Sequence, residues 1–199
     1  MEHDKTIENS HESLEIITQM IQKTKLNIQQ GSFHLLLWGW IIIAGSLGQF
    51  LFMKYTSILH VELAWLVIIP GVFISMIYGF VKGRRARVHT YADYLTMWIW
   101  LGFLFTSVVM MVVVLNVLSQ FNQYQLIGAM FLLLAGYATF LAGITIKFRP
   151  LIIGGCLFWI FSLVGYFIGG AFSLLISAVA VVCGYLIPGY MLKNRSIDG

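Results

Sequence analysis

The sequence predicts an all-α integral membrane protein: a six-transmembrane-helix bundle, preceded by an amphipathic helix, with both termini cytoplasmic. Three observations carry this reading. Of 199 residues, 59% are hydrophobic and 10% are charged, whereas an ordinary soluble domain is about a quarter charged. The uncharged stretches are long enough to cross a bilayer. The basic residues fall on alternate connections between those stretches. Mean hydropathy is +0.87, more apolar surface than a soluble fold of this size can hide. The same composition excludes other classes. Twelve Lys and Arg, mostly set between apolar runs, do not make a nucleic-acid-binding surface. Two Cys do not make a disulfide scaffold. Three Pro, and few Ser or Thr outside the apolar runs, exclude a long disordered arm.

The four longest stretches free of Lys, Arg, Asp and Glu are Leu26–Met53, Leu63–Val81, Tyr94–Ile146 and Pro150–Leu192. A helix needs about 20 apolar residues to cross the hydrocarbon. The first two stretches hold one span each. The third holds two, parted by the polar hinge Ser119–Gln125, and the fourth holds two, parted by Gly169–Ser173. The spans fall near 33–53, 64–81, 95–116, 126–146, 151–168 and 173–192, which leaves 1–31 as an N-terminal segment and 193–199 as a tail. Backbone polar groups must be satisfied within the bilayer, so helices are the default, and no run alternates like a barrel strand.

Six spans put Lys5, Lys23, Lys25, Lys82, Arg84, Arg85, Arg87, Lys147, Arg149, Lys193 and Arg195 on one side and Lys54 alone on the other. The positive-inside rule makes the rich side cytoplasmic. Trp38, Trp40, Trp98 and Trp100 lie toward the inner ends and Trp65 at an outer end, an aromatic-belt pattern, while Trp159 falls in mid-span and is expected to pack. Residues 1–30 are polar and carry acids, so span one is expected to act as an uncleaved signal anchor. Cys156 and Cys183 lie within spans and are expected to pack as small apolar groups.

Residues 10–30 read as a helix that does not span. Leu14, Ile17, Met20, Ile21, Thr24 and Ile28 follow helical spacing. Asn9 is placed to cap it, Glu8, Glu12 and Glu15 lead, Lys23 and Lys25 follow, and Gly31 is a stop. Such a helix lies on the inner leaflet, covers the mouth of the bundle, or docks a cytoplasmic partner protein. Glu8, His11, Glu12 and Glu15 share a face, but a single His with no second half of a site reads as a solvated surface, and no metal or cofactor is expected.

The loop between spans two and three carries Lys82, Arg84, Arg85 and Arg87. Topology alone accounts for a basic inner loop. Its functional reading is binding of anionic lipid headgroups, at about 1 kcal/mol per basic residue. The spans hold no deep Asp, Glu, Lys or Arg, which argues against a proton-coupled carrier. No His-Glu-x-x-His motif suggests a membrane metalloprotease. His34, His60 and His89 sit by interfaces, where capping or snorkelling accounts for them. The remaining polar groups are mild. Ser46, Gln49, Ser162, Tyr166, Ser173 and Ser177 share the outer leaflet half, and Glu62 stands at the outer start of span two. Interhelical hydrogen bonds explain them. The sharper alternative is an outward pocket for a neutral or lipid-like ligand, lined by Ser46, Gln49, Ser162, Tyr166 and Ser177. Ala44-x-x-x-Gly48, Ala138-x-x-x-Ala142, Gly165-x-x-x-Gly169 and Ala180-x-x-x-Gly184 mark close helix contacts. Pro70 and Pro188 are expected to kink their spans, and Pro150 to open span five.

Glu12–Ile21, Leu37-Trp38-Gly39-Trp40, Val88–Asp93, Lys147–Gly155 and Tyr185–Tyr190 together resemble a family of small uncharacterised bacterial six-helix inner-membrane proteins. The resemblance covers nearly the whole chain. It implies a bacterial inner membrane and carries no activity. The leading expectation is a non-enzymatic membrane sensor or organiser acting through its N-terminal helix and basic loop on membrane lipids. The second is a carrier or channel for a neutral or lipophilic solute, for which a homodimer would build a path. The third is a lipid-modifying enzyme using His89, Tyr91 and Asp93 at the inner interface.

Overall fold

The structure, a computed structural model, describes residues 31–55, 61–83, 91–121 and 125–198. Every regular element among them is helical, and six helices are long and apolar enough to cross a membrane. These are α1 (Gly31–Tyr55), a 3-10 segment (Val61–Val67) continuing as α2 (Ile68–Gly83), α3 (Tyr91–Phe121), α4 (Gln125–Thr145) and α5 (Arg149–Ile168). The sixth is built from α6 (Phe172–Val181), a π turn (Val182–Leu186) and α7 (Ile187–Asp198). The N-terminal amphipathic helix lies outside the described residues.

The helices run antiparallel, and side-chain partners fix their order. Gly31 lies against Leu192, Gly39 against Leu186 and Phe50 against Phe172, so α1 follows the sixth helix from end to end. The other face of α1 takes α2, with Phe33 stacked on Tyr78 at 3.7 Å and Gly45 under the Trp65 ring. Lys82, Lys147, Arg149 and Lys193 thus come from connections and termini at one end of the bundle, the basic end.

The tightest contacts are made by glycine. Apolar side chains gain nothing by leaving lipid for each other, so membrane helices associate where backbones approach closely. A Cβ on Gly155 would lie 2.7 Å from the Phe140 nitrogen, one on Gly143 2.7 Å from the Ile152 nitrogen, and one on Gly136 2.9 Å from the Gly155 carbonyl oxygen. These three lock α4 to α5. On the other side of α5, a Cβ on Gly154 would lie 2.8 Å from the Gly184 oxygen, and one on Gly184 would strike the Phe158 ring. Ala138, Ala142 and Ala180 are buried, as their spacing predicts. Two of the four small-residue pairs act differently. Ala44 is exposed, and the contact stripe of α1 is turned by one residue so that Gly45 and Gly48 meet Trp65 and Ala64. Gly165 makes only ordinary contact with Ile176, while Gly169, at φ 62°, ends α5.

The prolines mark changes of helix type. Pro70 falls in the first turn of α2, just after the 3-10 segment. Pro188 follows the π turn, where the Ile187 N–H bonds the Val182 carbonyl. Proline has no N–H, so the Gly184 carbonyl loses the donor four residues on, and the π turn absorbs the change of register. Pro150 opens α5. The α4–α5 turn is a Schellman motif: Phe148 N–H bonds the Gly143 oxygen (2.9 Å) and Lys147 N–H bonds the Ile144 oxygen (3.1 Å). Its left-handed position, usually glycine, is Lys147 at φ 54°.

Two stability outcomes follow. Gly155→Ala should lower the melting temperature in detergent by an amount matching about 1–3 kcal/mol, because backbone must move. Gly79→Ala, whose Cβ would meet nothing within 4 Å, should be neutral or stabilising by up to about 1 kcal/mol. Equal melting temperatures for the two would refute the close-packing account. Lys147→Gly should stabilise by about 1 kcal/mol through relief of the left-handed strain, read in the same assay.

Candidate functional site

The mild polar groups make their hydrogen bonds at separate places among the described residues. The Trp65 Nε1–H donates to Gln49 Oε1 at 2.7 Å, tying the 3-10 segment to α1. Ser162 Oγ donates across helices to the Ala129 carbonyl at 2.7 Å, in the α4–α5 contact. Ser177 Oγ donates back along its own helix to Ser173 O at 3.0 Å, and Ser173 Oγ to Gly170 O at 2.8 Å. Tyr166 is 40% exposed on α5, edge-on to Phe167. Ser46 differs: it is fully buried and its hydroxyl has no partner. The hydroxyls of Thr96 and Ser107, both on α3, are also buried without a partner. The suggested pocket residues are therefore spread over α1, α5 and α6, most of them already engaged.

Arg84, Arg85, Arg87, His60 and His89 lie outside the described residues. Lys82 is in the last turn of α2 and Asp93 in the first turn of α3, and their side chains are likewise not described. Tyr91 opens α3 and is exposed. Cys156 and Cys183 are free thiols. Trp159 packs over Gly136 and against Phe140 at 5.3 Å, and its indole N–H reaches the Leu133 carbonyl at 3.3 Å.

The structure assembles a group that residue spacing does not reveal. Tyr185, on the π turn, is nearly fully buried. Its ring stands edge-on to Phe158 of α5 at 4.9 Å and tilted to Trp100 of α3 at 6.4 Å. Its side chain hydrogen-bonds that of Thr139 on α4, and the Thr139 hydroxyl donates to Ala135 O at 2.6 Å. Gly39 of α1 closes on Tyr185 and Leu186 from the remaining side. One side chain thus links five of the six spans. The signal available in sequence was a tyrosine between Gly184 and Pro188, which marks an irregular turn and does not reveal its partners. A second feature is an open apolar groove of about 310 Å³ between α3 and α4, lined by Met110, Met130, Leu133, Leu134 and Tyr137.

The hydroxyls of Ser46, Thr139, Ser162, Ser173 and Ser177 and the amide of Gln49 are neutral groups, which can hydrogen-bond a neutral ligand or each other. Ser162→Ala should cost about 0.6 kcal/mol of stability, up to about 1.7, because it removes a bond between helices. Ser177→Ala should cost close to nothing, because the Ser173 carbonyl keeps its helical backbone donor. Thermal unfolding of the two variants checks this, and an equal loss would mean that interhelical bonding is not what Ser162 supplies. Comparison with family models, with curated proteins and with solved structures gives no match to this chain.

Proposed function

We propose that this chain is a non-enzymatic multi-pass protein of the bacterial inner membrane. It senses or organises the bilayer through its N-terminal amphipathic helix and the basic loop 82–90, with both termini cytoplasmic. The observation that carries the reading is uneven burial. Of the apolar windows, 33% is buried in α1, α4 and α5 and 44% in the sixth helix, against 6% in α2 and none in α3. α2 leans on α1, α3 leans on α4, and the two hardly touch each other. The helices most open to lipid are therefore the two that the basic loop joins. A change in bilayer thickness or composition acts first on them, at a modest cost per ångström of mismatch. The C-terminal end of α2 stands at the same end of the bundle as Gly31, the first described residue of α1. Lys82, Arg84, Arg85 and Arg87 favour anionic headgroups by about 1 kcal/mol each. The positive-inside rule supports a cytoplasmic basic end, and the family resemblance supports a bacterial inner membrane.

The second reading, a carrier for a neutral or lipophilic solute, is favoured by one observation. The hydroxyls of Ser46, Thr96 and Ser107 are buried without partners, at a cost of about 1–3 kcal/mol each, and a solute with hydrogen-bonding groups would relieve them. Hydrogen exchange in nanodiscs separates the two. Raising the anionic lipid content should slow exchange in residues 1–30 and 82–90 and leave α4 and α5 unchanged. Unaltered exchange in both segments, with flux of a neutral solute into proteoliposomes, would replace the sensor by the carrier.

A further inference from the structure

We infer that a second copy of this chain packs on the outward face of α4, with Tyr137 of one copy hydrogen-bonded to Tyr137 of the other. Such a pairing goes beyond lipid sensing and does not rest on it. Tyr137 is 57% exposed, and it stands deep in the bilayer. It lies 12 residues from the first residue of α4 and 8 from the last, about 18 Å and 12 Å at 1.5 Å per residue. The helix therefore spans about 30 Å, the thickness of the hydrocarbon core. Helical side chains lean toward the N-terminus, which brings the hydroxyl nearer the midplane, out of reach of either interface. No described residue hydrogen-bonds it. A threonine turns its hydroxyl back to a carbonyl of its own helix, as Thr139 and Thr145 do. The phenol ring holds the tyrosine hydroxyl too far out for that. Acyl chains offer no partner, and a hydroxyl left bare in hydrocarbon is costly.

Depth and symmetry identify the occupant. Copies of one chain inserted with one orientation place the same residue at the same depth. Related by a two-fold axis along the membrane normal, two α4 helices run parallel, and the same patch of each faces the other. A second copy therefore brings a hydroxyl to the level of Tyr137, where a phospholipid has only hydrocarbon. A phenol hydroxyl both donates and accepts, so one donates to the other. The surface around Tyr137 is also shaped for a helix. Met130, Leu133, Tyr137 and Ile144 are 37%, 44%, 57% and 49% exposed. They follow one another by three, four and seven residues, the spacing of a seam between two helices. Met130, Leu133 and Tyr137 also form one wall of the groove of about 310 Å³, with Met110 of α3 opposite. Side chains of the second seam enter that groove as knobs enter holes, and two methionines let it adapt to them.

The test uses the full chain in vesicles of phosphatidylethanolamine and phosphatidylglycerol. Subunit counting by single-molecule photobleaching over a range of protein-to-lipid ratios should give dimers. Tyr137→Phe, which keeps the ring, should dimerise about three- to twenty-fold more weakly, as the loss of one hydrogen bond between membrane helices gives. Tyr166→Phe removes a hydroxyl two residues from the end of α5, where water reaches it, and should leave the dimer unchanged. Disulfide trapping then locates the interface. In a chain carrying Cys156→Ala and Cys183→Ala, Met130→Cys and Leu133→Cys should each link to the same residue of a second copy under copper–phenanthroline oxidation. Phe73→Cys, on α2 and 62% exposed in the native chain, should not. Monomers at every protein-to-lipid ratio overturn the inference. So does a dimer that Tyr137→Phe leaves at full strength, or one that links through Phe73→Cys alone. A monomer that retains a neutral lipophilic molecule, and loses it on Tyr137→Phe, also overturns it and makes the groove a ligand site.

Discussion

The bundle depends on how closely backbones can approach where lipid gives no hydrophobic reason to do so. In water, burying leucine against leucine is worth about 25 cal/mol per Å². In a bilayer the alternative to a neighbouring helix is an equally apolar acyl chain, so association rests on dispersion at short range and on hydrogen bonds. This explains why the firmest contacts lie where side chains are absent. Gly136, Gly143 and Gly155 bring α4 and α5 to backbone contact, and Gly154 with Gly184 does so between α5 and the sixth helix. Each site fails with a single added methyl group, since the nearest atoms belong to backbone or to a buried ring.

The irregular turn before Pro188 belongs to the same scheme. A regular helix would leave the Gly184 carbonyl without its donor, because Pro188 has none to give. The π turn lets Ile187 bond Val182 instead, and the Gly184 backbone sits where only a residue without a Cβ, Gly154, can face it. Tyr185, one residue on, reaches inward to Thr139, Phe158 and Trp100. The hydroxyl that would be costly in hydrocarbon is satisfied within the protein. Irregular backbone and buried polar group are thus accommodated at one level, in the best-packed part of the molecule.

Hydropathy made the number and limits of the spans readable, because length against bilayer thickness is a property of each segment alone. The Gly169–Ser173 break and the role of Pro150 were legible for the same reason. Which residues touch was less so. Ala138 and Ala142 were found from spacing, but Ala44 and Gly48 were assigned as a pair where the contact uses Gly45 and Gly48. A rotation of one residue, 100° about the axis, separates these readings, and only the neighbour decides it. Gln49, Ser162 and Ser177 were visible as mild polar groups in one leaflet half. Their partners, Trp65, the Ala129 carbonyl and the Ser173 carbonyl, depend on helix order, which spacing does not encode. The Tyr185 group stayed hidden because its members come from five spans.

The uneven burial has a mechanical consequence. α1, α4, α5 and the sixth helix share the apolar cluster around Phe158, Val181 and Tyr185, and this cluster resists deformation as a close-packed interior does. α2 and α3 attach along one stripe each. On α2 the stripe runs through Ala64, Trp65, Ile68, Gly71, Ser75 and Tyr78. On α3 it runs through Thr96, Trp100, Phe103, Ser107 and Met110. Lipid meets α2 and α3 over most of their circumference, since 6% of the α2 window and none of the α3 window is buried, against 33% or more in the other four spans. α2 and α3 are therefore the helices held by the least protein contact. The proposed function uses this asymmetry, because Lys82, Arg84, Arg85 and Arg87 stand in the sequence between the two least buried spans. The proposed response to lipid therefore needs no Asp, Glu, Lys or Arg deep in the described spans, because the difference in burial between α2 and α3 and the other four helices supplies its physical basis.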